Sequence, residues 1–308
     1  MKVKITATAE SAEQAKSLLA AGADTINIGD KDFALRMPTA LTQDQIHLIT
    51  EMAHAAGKTI TVSVNALMHV EKMAVIKPYL DFLQEIGVDQ ITVGDAGVIY
   101  VLQQNDYKLP WIYDASVLTT SSRQVNFWAE QGAVGAVLAR ELPKSELEAM
   151  GSALQVPGEI LVYGATVIHH SKRPLLQNYY NFAEVKDEGK TQDDHLSVSE
   201  PSDPQSHFSI FEDSQGTHIF ANDDLDMMTE LADLAAMGYD HWKLDGIFTR
   251  GDDFVEIVRI FDQVRKLVET GELTPDKVLQ LDYEVRKHHP AGRSLSHGFY
   301  DIDPTKIK

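Results

Sequence analysis

Hydrophobic and polar positions along the chain follow two alternating rhythms. Short runs rich in β-branched residues each give way to a stretch whose apolar positions recur every third or fourth residue. Lys4–Thr8, Thr25–Gly29, Thr59–Val64, Gln90–Gly94, Trp111–Asp114, Ala136–Ala139 and Glu159–Tyr163 read as buried strands, with an eighth near Trp242–Asp245. Helical patterns lie between them at Ala12–Ala21, Gln43–Ala56, Glu71–Ile86 and Ser145–Leu154, and after the eighth at Asp253–Glu269. Glycine closes several of these helices just before a strand, in AAGAD at Gly22, AAGKT at Gly57, EIGVD at Gly87, EQGAV at Gly132 and AMGYD at Gly238. Eight parallel strand–helix units make the α/β fold of a (β/α)8 TIM-type barrel. An open doubly wound sheet shares the local pattern, because periodicity does not reveal closure.

The rhythm breaks once, between Gly164 and Asn222. Strand seven is expected to stop at Gly164 and give way to a polar loop, so this stretch reads as a long insertion after strand seven. Most of 181–207 is polar and aperiodic, and is expected to be partly mobile. Phe208–Phe211 and Thr217–Phe220 look like a hairpin turning at Gln215-Gly216. The barrel is therefore expected to occupy 1–270, with insertion and hairpin at about 165–222. A tail over 271–308, carrying HHPAGRSLSHGFY, is expected to pack on the barrel and fold back over its mouth.

Composition narrows the chemistry. No run approaches the roughly 18 apolar residues of a membrane-spanning helix. MKVKITATAE enters a strand pattern at once, so a cytoplasmic chain without a targeting segment is expected. The chain has no cysteine, which removes disulfides, a thiolate nucleophile and cysteine-held zinc or iron–sulfur clusters. Lys and Arg number 27 against 46 Asp and Glu, a formal charge of −19. Most of such a surface repels nucleic acid, so RNA contact needs a local basic patch or a partner.

Candidate site residues gather where strands end, the face on which such barrels place catalysis. His169 and His170 follow strand seven, and Asp245 follows strand eight; with Glu141 they are the candidate catalytic groups. Adjacent histidines diverge on a strand, so His69, His169, His170 and Asp245 from separate strand ends are the alternative for a divalent metal. Arg173 is the candidate anion-binding group, able to grip a carboxylate or phosphate with two hydrogen bonds. Arg140, Asn65, Asp95, Tyr163 and Lys243 are further candidates for substrate binding. Asn65 and Asp95 serve equally well as helix caps, Arg140 and Glu141 as a structural ion pair, and Lys243 as a buried paired lysine. Asp114 and Ser116 share one face of strand five, Ser116 as a pocket-lining group. Neither an HExxH nor a GxSxG motif occurs.

The segment EILVYGATVIHHSKRPLLQNYY resembles the signature of the collagenase-like peptidases of unknown catalytic type, family thirty-two of the U peptidases. Glu159, Gly164, Ala165, Ser171, Arg173, Leu175 and Leu176 match it, while Val167 and Pro174 stand where the signature has cysteines. AESAEQAKSLLAAGADTINIGDKDFALR, TVSVNALMH, LARELPKSEL, FEDSQGTHIFANDDLDMM and WKLDG are similar to further family motifs in the same order. Ile247 stands where the family usually has Arg.

The resemblance implies a barrel-like fold and leaves the activity open. Some relatives are described as proteases without agreed catalytic residues. Others resemble proteins that assist hydroxylation, one branch acting on the wobble uridine of transfer RNA with prephenate, another holding an iron–sulfur cluster through four cysteines. The length resembles the shorter of two neighbouring paralogues. The resemblance thus implies a subunit for prephenate-dependent wobble-uridine hydroxylation, beside a longer paralogue. A peptidase with water activated by a carboxylate or metal, and a non-catalytic scaffold, are the alternatives. No cofactor is fixed, and a homo-oligomer stays open.

Overall fold

Eight parallel strands pair edge to edge until the last meets the first. In the computed structural model, which describes residues 2–115, 118–186, 189–303 and 305, the ring begins with β1 (Lys4–Thr8), β2 (Thr25–Ile28), β3 (Thr59–Val64) and β4 (Gln90–Val93). It continues through β5 (Trp111–Tyr113), β6 (Ala133–Val137) and β7 (Gly158–Ser171). Outside it, β8 (Ser197–Glu200), β9 (Asp203–Asp213) and β10 (Gly216–Asp226) form an antiparallel arm. β11 (His241–Leu244) then pairs with both β7 and β1 and closes the barrel. β12 (Ser294–Ser296), in the tail, adds to β10.

Strands β1 to β4 and β11 alternate strictly, and this alternation decides what lies inside. Ile5, Ala7, Ile26, Ile28, Ile60, Val62, Val64, Ile91 and Val93 share one buried core with Leu18, Ile46, Leu80, Val258 and Phe261 of the surrounding helices. Each large aliphatic residue buried there contributes roughly 1.5–3 kcal/mol, so the strand–helix layer supplies the main cohesion. The opposite faces carry Thr6, Thr8, Thr25, Asn27, Thr61, Ser63, Thr92 and Lys243, all buried. Barrels of this type usually fill their interior with Val, Ile and Leu. Here much of the interior is polar.

Most elements fall where the pattern predicts. Gly22, Gly57, Gly87, Gly132 and Gly238 all have positive φ at the helix–strand junctions. The expected helix over Glu71–Ile86 is two, Val70–Met73 and Ile76–Glu85. Pro78 explains the break: it lacks an N–H and its ring would collide with a preceding turn, so it is accommodated only in a helix's first turn. The sixth strand begins earlier than Ala136, directly after Gly132; Gly135 masks its start.

Strand seven does not stop at Gly164. It runs on to Ser171, leaves the barrel and pairs antiparallel with β10. Gly164 is the bend. Its φ is 120°, and a Cβ there would lie 2.3 Å from the Asp245 carbonyl oxygen. The stretch after it is built rather than aperiodic: a helix at Leu175–Ala183, a 3-10 turn at Gln192–Asp194 and β8 precede the hairpin. The hairpin turns at Ser214-Gln215, one residue before the expected pair, with Gly216 opposite Asp213.

The tail packs on the outside of the barrel, where Val285 of the helix Pro275–His288 and Tyr300 join the main core, and on the arm through β12; it does not cap the mouth. Arg293 grips Asp224 through Nε and Nη2 of its guanidinium, at 2.9 and 2.6 Å, and bonds Ser209 through Nη1. Lys144 N–H donates to the Tyr300 carbonyl at 2.9 Å. Among the described residues, none of the tail lines the mouth cleft described below.

Candidate functional site

The barrel mouth is built from strand ends and one long loop. After β2, the chain loops out and returns where Leu41 N–H meets the Gly29 carbonyl at 3.0 Å. Arg36 rides on this loop with φ 53°, a left-handed conformation that costs a non-glycine residue about 1–3 kcal/mol and is kept where surroundings impose it. Asn65, at the end of β3, does the imposing. Its Oδ1 accepts from Leu35 N–H at 2.9 Å, and its Nδ2 donates to Asp114 Oδ2 at 2.7 Å. Asn65 is thus the brace between loop and strand five.

Below the loop the mouth narrows to a neck of about 30 Å³ touched by Arg36, Arg140, Asp114, Lys243 and Asp245. Above, it opens into a cleft of about 310 Å³ that shares Arg36, Asn65 and Asp114 and reaches Asp95, His169 and His170. Leu67, Leu118 and Ile168 form an exposed apolar rim on that cleft. Desolvation, and then the like charge of Arg140, push the Arg36 guanidinium down to about 10; Asp114 and Asp245 pull the other way. It stays charged at neutral pH. Two guanidiniums held together at a barrel mouth suit a ligand with carboxylate or phosphate oxygens.

The candidates fall into three groups. Arg140, Asn65, Asp95, His169, His170, Lys243 and Asp245 all reach the mouth. Asp95 also caps the following helix, its Oδ1 accepting from Gly97 N–H at 2.7 Å. Arg140 donates to the Ala165 carbonyl at 3.3 Å, and Asp245 Oδ1 takes Ile247 N–H at 3.1 Å. Lys243 lies 3.8 Å from Glu159.

Tyr163 and Glu141 are elsewhere. A register shift between Lys243 and Leu244 turns Tyr163 outward, where its hydroxyl meets Thr249 Oγ1 at 2.9 Å and His289 Nδ1 at 2.7 Å. Tyr163 therefore ties the tail to the barrel and does not line the mouth. Glu141 is exposed and absent from the cleft lining. Arg173 sits on the exposed turn after β7, outside the mouth, with no side-chain partner among the described residues. Its expected place beside the catalytic face depended on strand seven ending at Gly164, which it does not. Ser116 lies outside the described residues. Among the described residues no three His, Asp or Glu side chains are spaced to hold a metal, so His69, His169, His170 and Asp245 do not converge.

Three features escaped the sequence. Arg36 is one, although it closes the quoted motif INIGDKDFALR directly after a strand. The second is a histidine stack. His218 on β10 faces His170 on β7, their rings 4.6 Å apart and 10° from parallel. Burial is the main reason His170 drops to about 4 and His218 is lowered too, so both are neutral at pH 7. Burial works to raise Asp213, yet the His218 hydrogen bond at 3.0 Å brings its carboxyl below the ordinary range. The third is the hairpin tip, which bridges to the β2 loop. Gln215 Nε2 donates to the Lys31 and Asp32 carbonyls at 2.6 and 3.0 Å, and Lys72 donates to Gln215 Oε1 at 2.5 Å.

Comparison with known proteins adds relatives to this geometry. A model of peptidase family U32 matches residues 10–308. "tRNA hydroxylation protein P2" of Bacillus subtilis (strain 168) is 28% identical over 303 residues, covering 97% of this chain and 97% of that protein. "tRNA hydroxylation protein P1" of the same organism is 23% identical, covering 98% of this chain and 72% of its own length. Among solved structures, the U32 peptidase Mk0906 aligns with a TM-score of 0.51 at 12% identity over 79% of this chain and 92% of that one; this likeness concerns the fold.

Proposed function

The chain belongs to peptidase family U32, and we propose from that premise that it works in the hydroxylation of transfer RNA, with the barrel mouth as its site. The observation that carries this is the end-to-end match to the P2 protein, 97% of both chains, in a fold whose mouth holds two paired guanidiniums. The finer proposal is that the RNA target is the wobble uridine and that prephenate is the small co-substrate. Prephenate carries two carboxylates, and Arg36 and Arg140 are a matching pair of cations.

RNA contact needs a basic surface on a chain of −19. We assign it to the hairpin tip. Lys31, Lys72, Lys172 and Arg173 cluster there, offset in part by Asp30, Asp32 and Asp213, with Lys172 Nζ on the Ser214 carbonyl at 2.6 Å. We place RNA phosphates on these groups and the target base over the apolar rim of the cleft. A longer paralogue, of which the P1 protein is the type, is the proposed partner that extends this patch.

Isothermal titration of the purified protein with prephenate tests the co-substrate assignment. Binding that Arg36→Gln weakens at least tenfold, with the fold retained by circular dichroism, supports it. Wild-type protein that takes up no prephenate sinks it.

A further inference from the structure

Polar residues line the barrel from end to end along β1 to β4 and β11, joined by Glu159 of β7 and Asp114 after β5. The lower level holds Thr6, Thr25, Thr59, Gln90 and Glu159, and the upper level Thr8, Asn27, Ser63, Asp114, Lys243 and Asp245. The lower level opens into a cleft of about 350 Å³ at the end of the barrel away from the mouth. The upper level opens through the 30 Å³ neck into the mouth. One ion pair joins the levels: Lys243, on the neck, and Glu159, on the lower cleft, lie 3.8 Å apart.

Hydrogen bonds satisfy only part of this interior. Gln90 Nε2 donates to Thr61 Oγ1 at 2.8 Å, Thr25 and Thr59 hydroxyls meet at 2.6 Å, and Asn27 Nδ2 donates to Ser63 Oγ at 3.0 Å. Asn27 Oδ1 and Thr92 Oγ1 are fully buried and bond to no protein group. A buried polar atom without a protein partner is normally met by an ordered water, because leaving it bare costs about 1–3 kcal/mol.

We infer that the barrel core is a hydrated column joining the mouth to the opposite cleft, with the Lys243–Glu159 pair as its proton relay. This rests on the mouth being the reaction site. An RNA or partner seated on the mouth closes its open side, and the column then leads a proton to or from bulk water through the far end. The transfer is one proton at a time: Lys243 passes a proton to the mouth, the Glu159 carboxylate takes one up from water in the lower cleft, and that proton moves on to the neutral Lys243 amine, restoring the ion pair. The reverse order removes a proton. Lys243 and Glu159 act here through water, and Glu159 is a positioning residue.

Two measurements test this. The first is a crystal structure resolving ordered water. It is expected to show waters within hydrogen-bond reach of Asn27 Oδ1 and Thr92 Oγ1, continuing toward Lys243; a dry interior would overturn the column. The second follows RNA hydroxylation by the purified wild type with its partner against Glu159→Gln and Glu159→Asp, over a range of pH. The relay predicts that Glu159→Gln lowers kcat about tenfold with KM unchanged and flattens the pH profile, while Glu159→Asp restores most of it. An unchanged kcat and profile in folded Glu159→Gln protein would overturn the relay. Wild-type protein that hydroxylates no RNA removes the site assignment and the relay with it, and the crystal still decides the column.

Discussion

Gly164→Ala isolates the bend on which the site depends. Gly164 has φ 120°, and an added Cβ would meet the Asp245 carbonyl oxygen at 2.3 Å and Asp245 Cβ at 3.0 Å. Both neighbours belong to β11's end, and the carbonyl cannot swing away as a flexible side chain would. Holding a side-chain-bearing residue in that backbone region costs about 1–3 kcal/mol. Crowding a packed site adds roughly 1–3 kcal/mol. The expected loss is therefore about 2–6 kcal/mol, read as the shift in urea unfolding of wild type and variant. Gly57→Ala is the internal control. Gly57 also has positive φ, 66°, but nothing lies within 4 Å of its Cβ position. Only the backbone term remains there, and about 1 kcal/mol is expected. A Gly164→Ala loss no larger than that of Gly57→Ala would refute the close approach and, with it, the account of how β7 leaves the barrel.

Acid titration probes the histidine stack. His170 takes a proton near 4 when folded against 6.5 ordinarily, so the unfolded chain binds protons first and stability falls as pH drops from 6.5 through 4. Allowing for its half-open position, about 1–2 kcal/mol is expected from this ring; His170→Phe should flatten that limb of the urea-midpoint curve, and an unchanged slope would contradict the assignment. Asp226 has the opposite sign. Burial, then Asp282 beside it, raises its carboxyl toward neutrality, so the folded protein holds the proton longer and stability falls as pH rises above the ordinary 3.8. Asp226→Asn should therefore stabilise by about 1–2 kcal/mol at pH 8 and change little at pH 4, checked by denaturation at both; equal effects at the two pH values would exclude it. Lys172→Ala with Arg173→Ala should weaken transfer-RNA binding and make its salt dependence shallower by about 2 in log–log slope, measured by filter binding. An unaltered slope would move the RNA surface elsewhere.

Much of the barrel was legible because strands such as Thr25–Ile28 and Thr59–Val64 keep a strict period of two. The same letters, TINI and TITVSV, also announce a polar interior, since a strand buried on two apolar faces would not alternate. Strand seven was misread because a glycine before a polar run looks like a stop, whereas positive φ at Gly164 lets the strand bend and continue. That one misreading displaced Arg173 from the catalytic face. Tyr163 was lost to a register shift, which no side-chain pattern records. Arg36 and Asn65 illustrate the remaining limit: the brace that holds the Arg36 loop runs from Leu35 to Asn65, 30 residues apart with no periodicity between, and its partner Asp114 is a further 49 along the chain. Arg140, Asp245 and Lys243 were accessible because each lies in or within three residues of the end of a strand.

Mass spectrometry of nucleosides in transfer RNA from cells lacking this chain, and any paralogue of overlapping role, tests the central claim most directly. Wild-type and Arg36→Gln genes would be returned to those cells and both proteins shown to accumulate equally. The account predicts that hydroxylated wobble uridine disappears and returns only with the wild type. A nucleoside profile unchanged by the loss of the chain would contradict it.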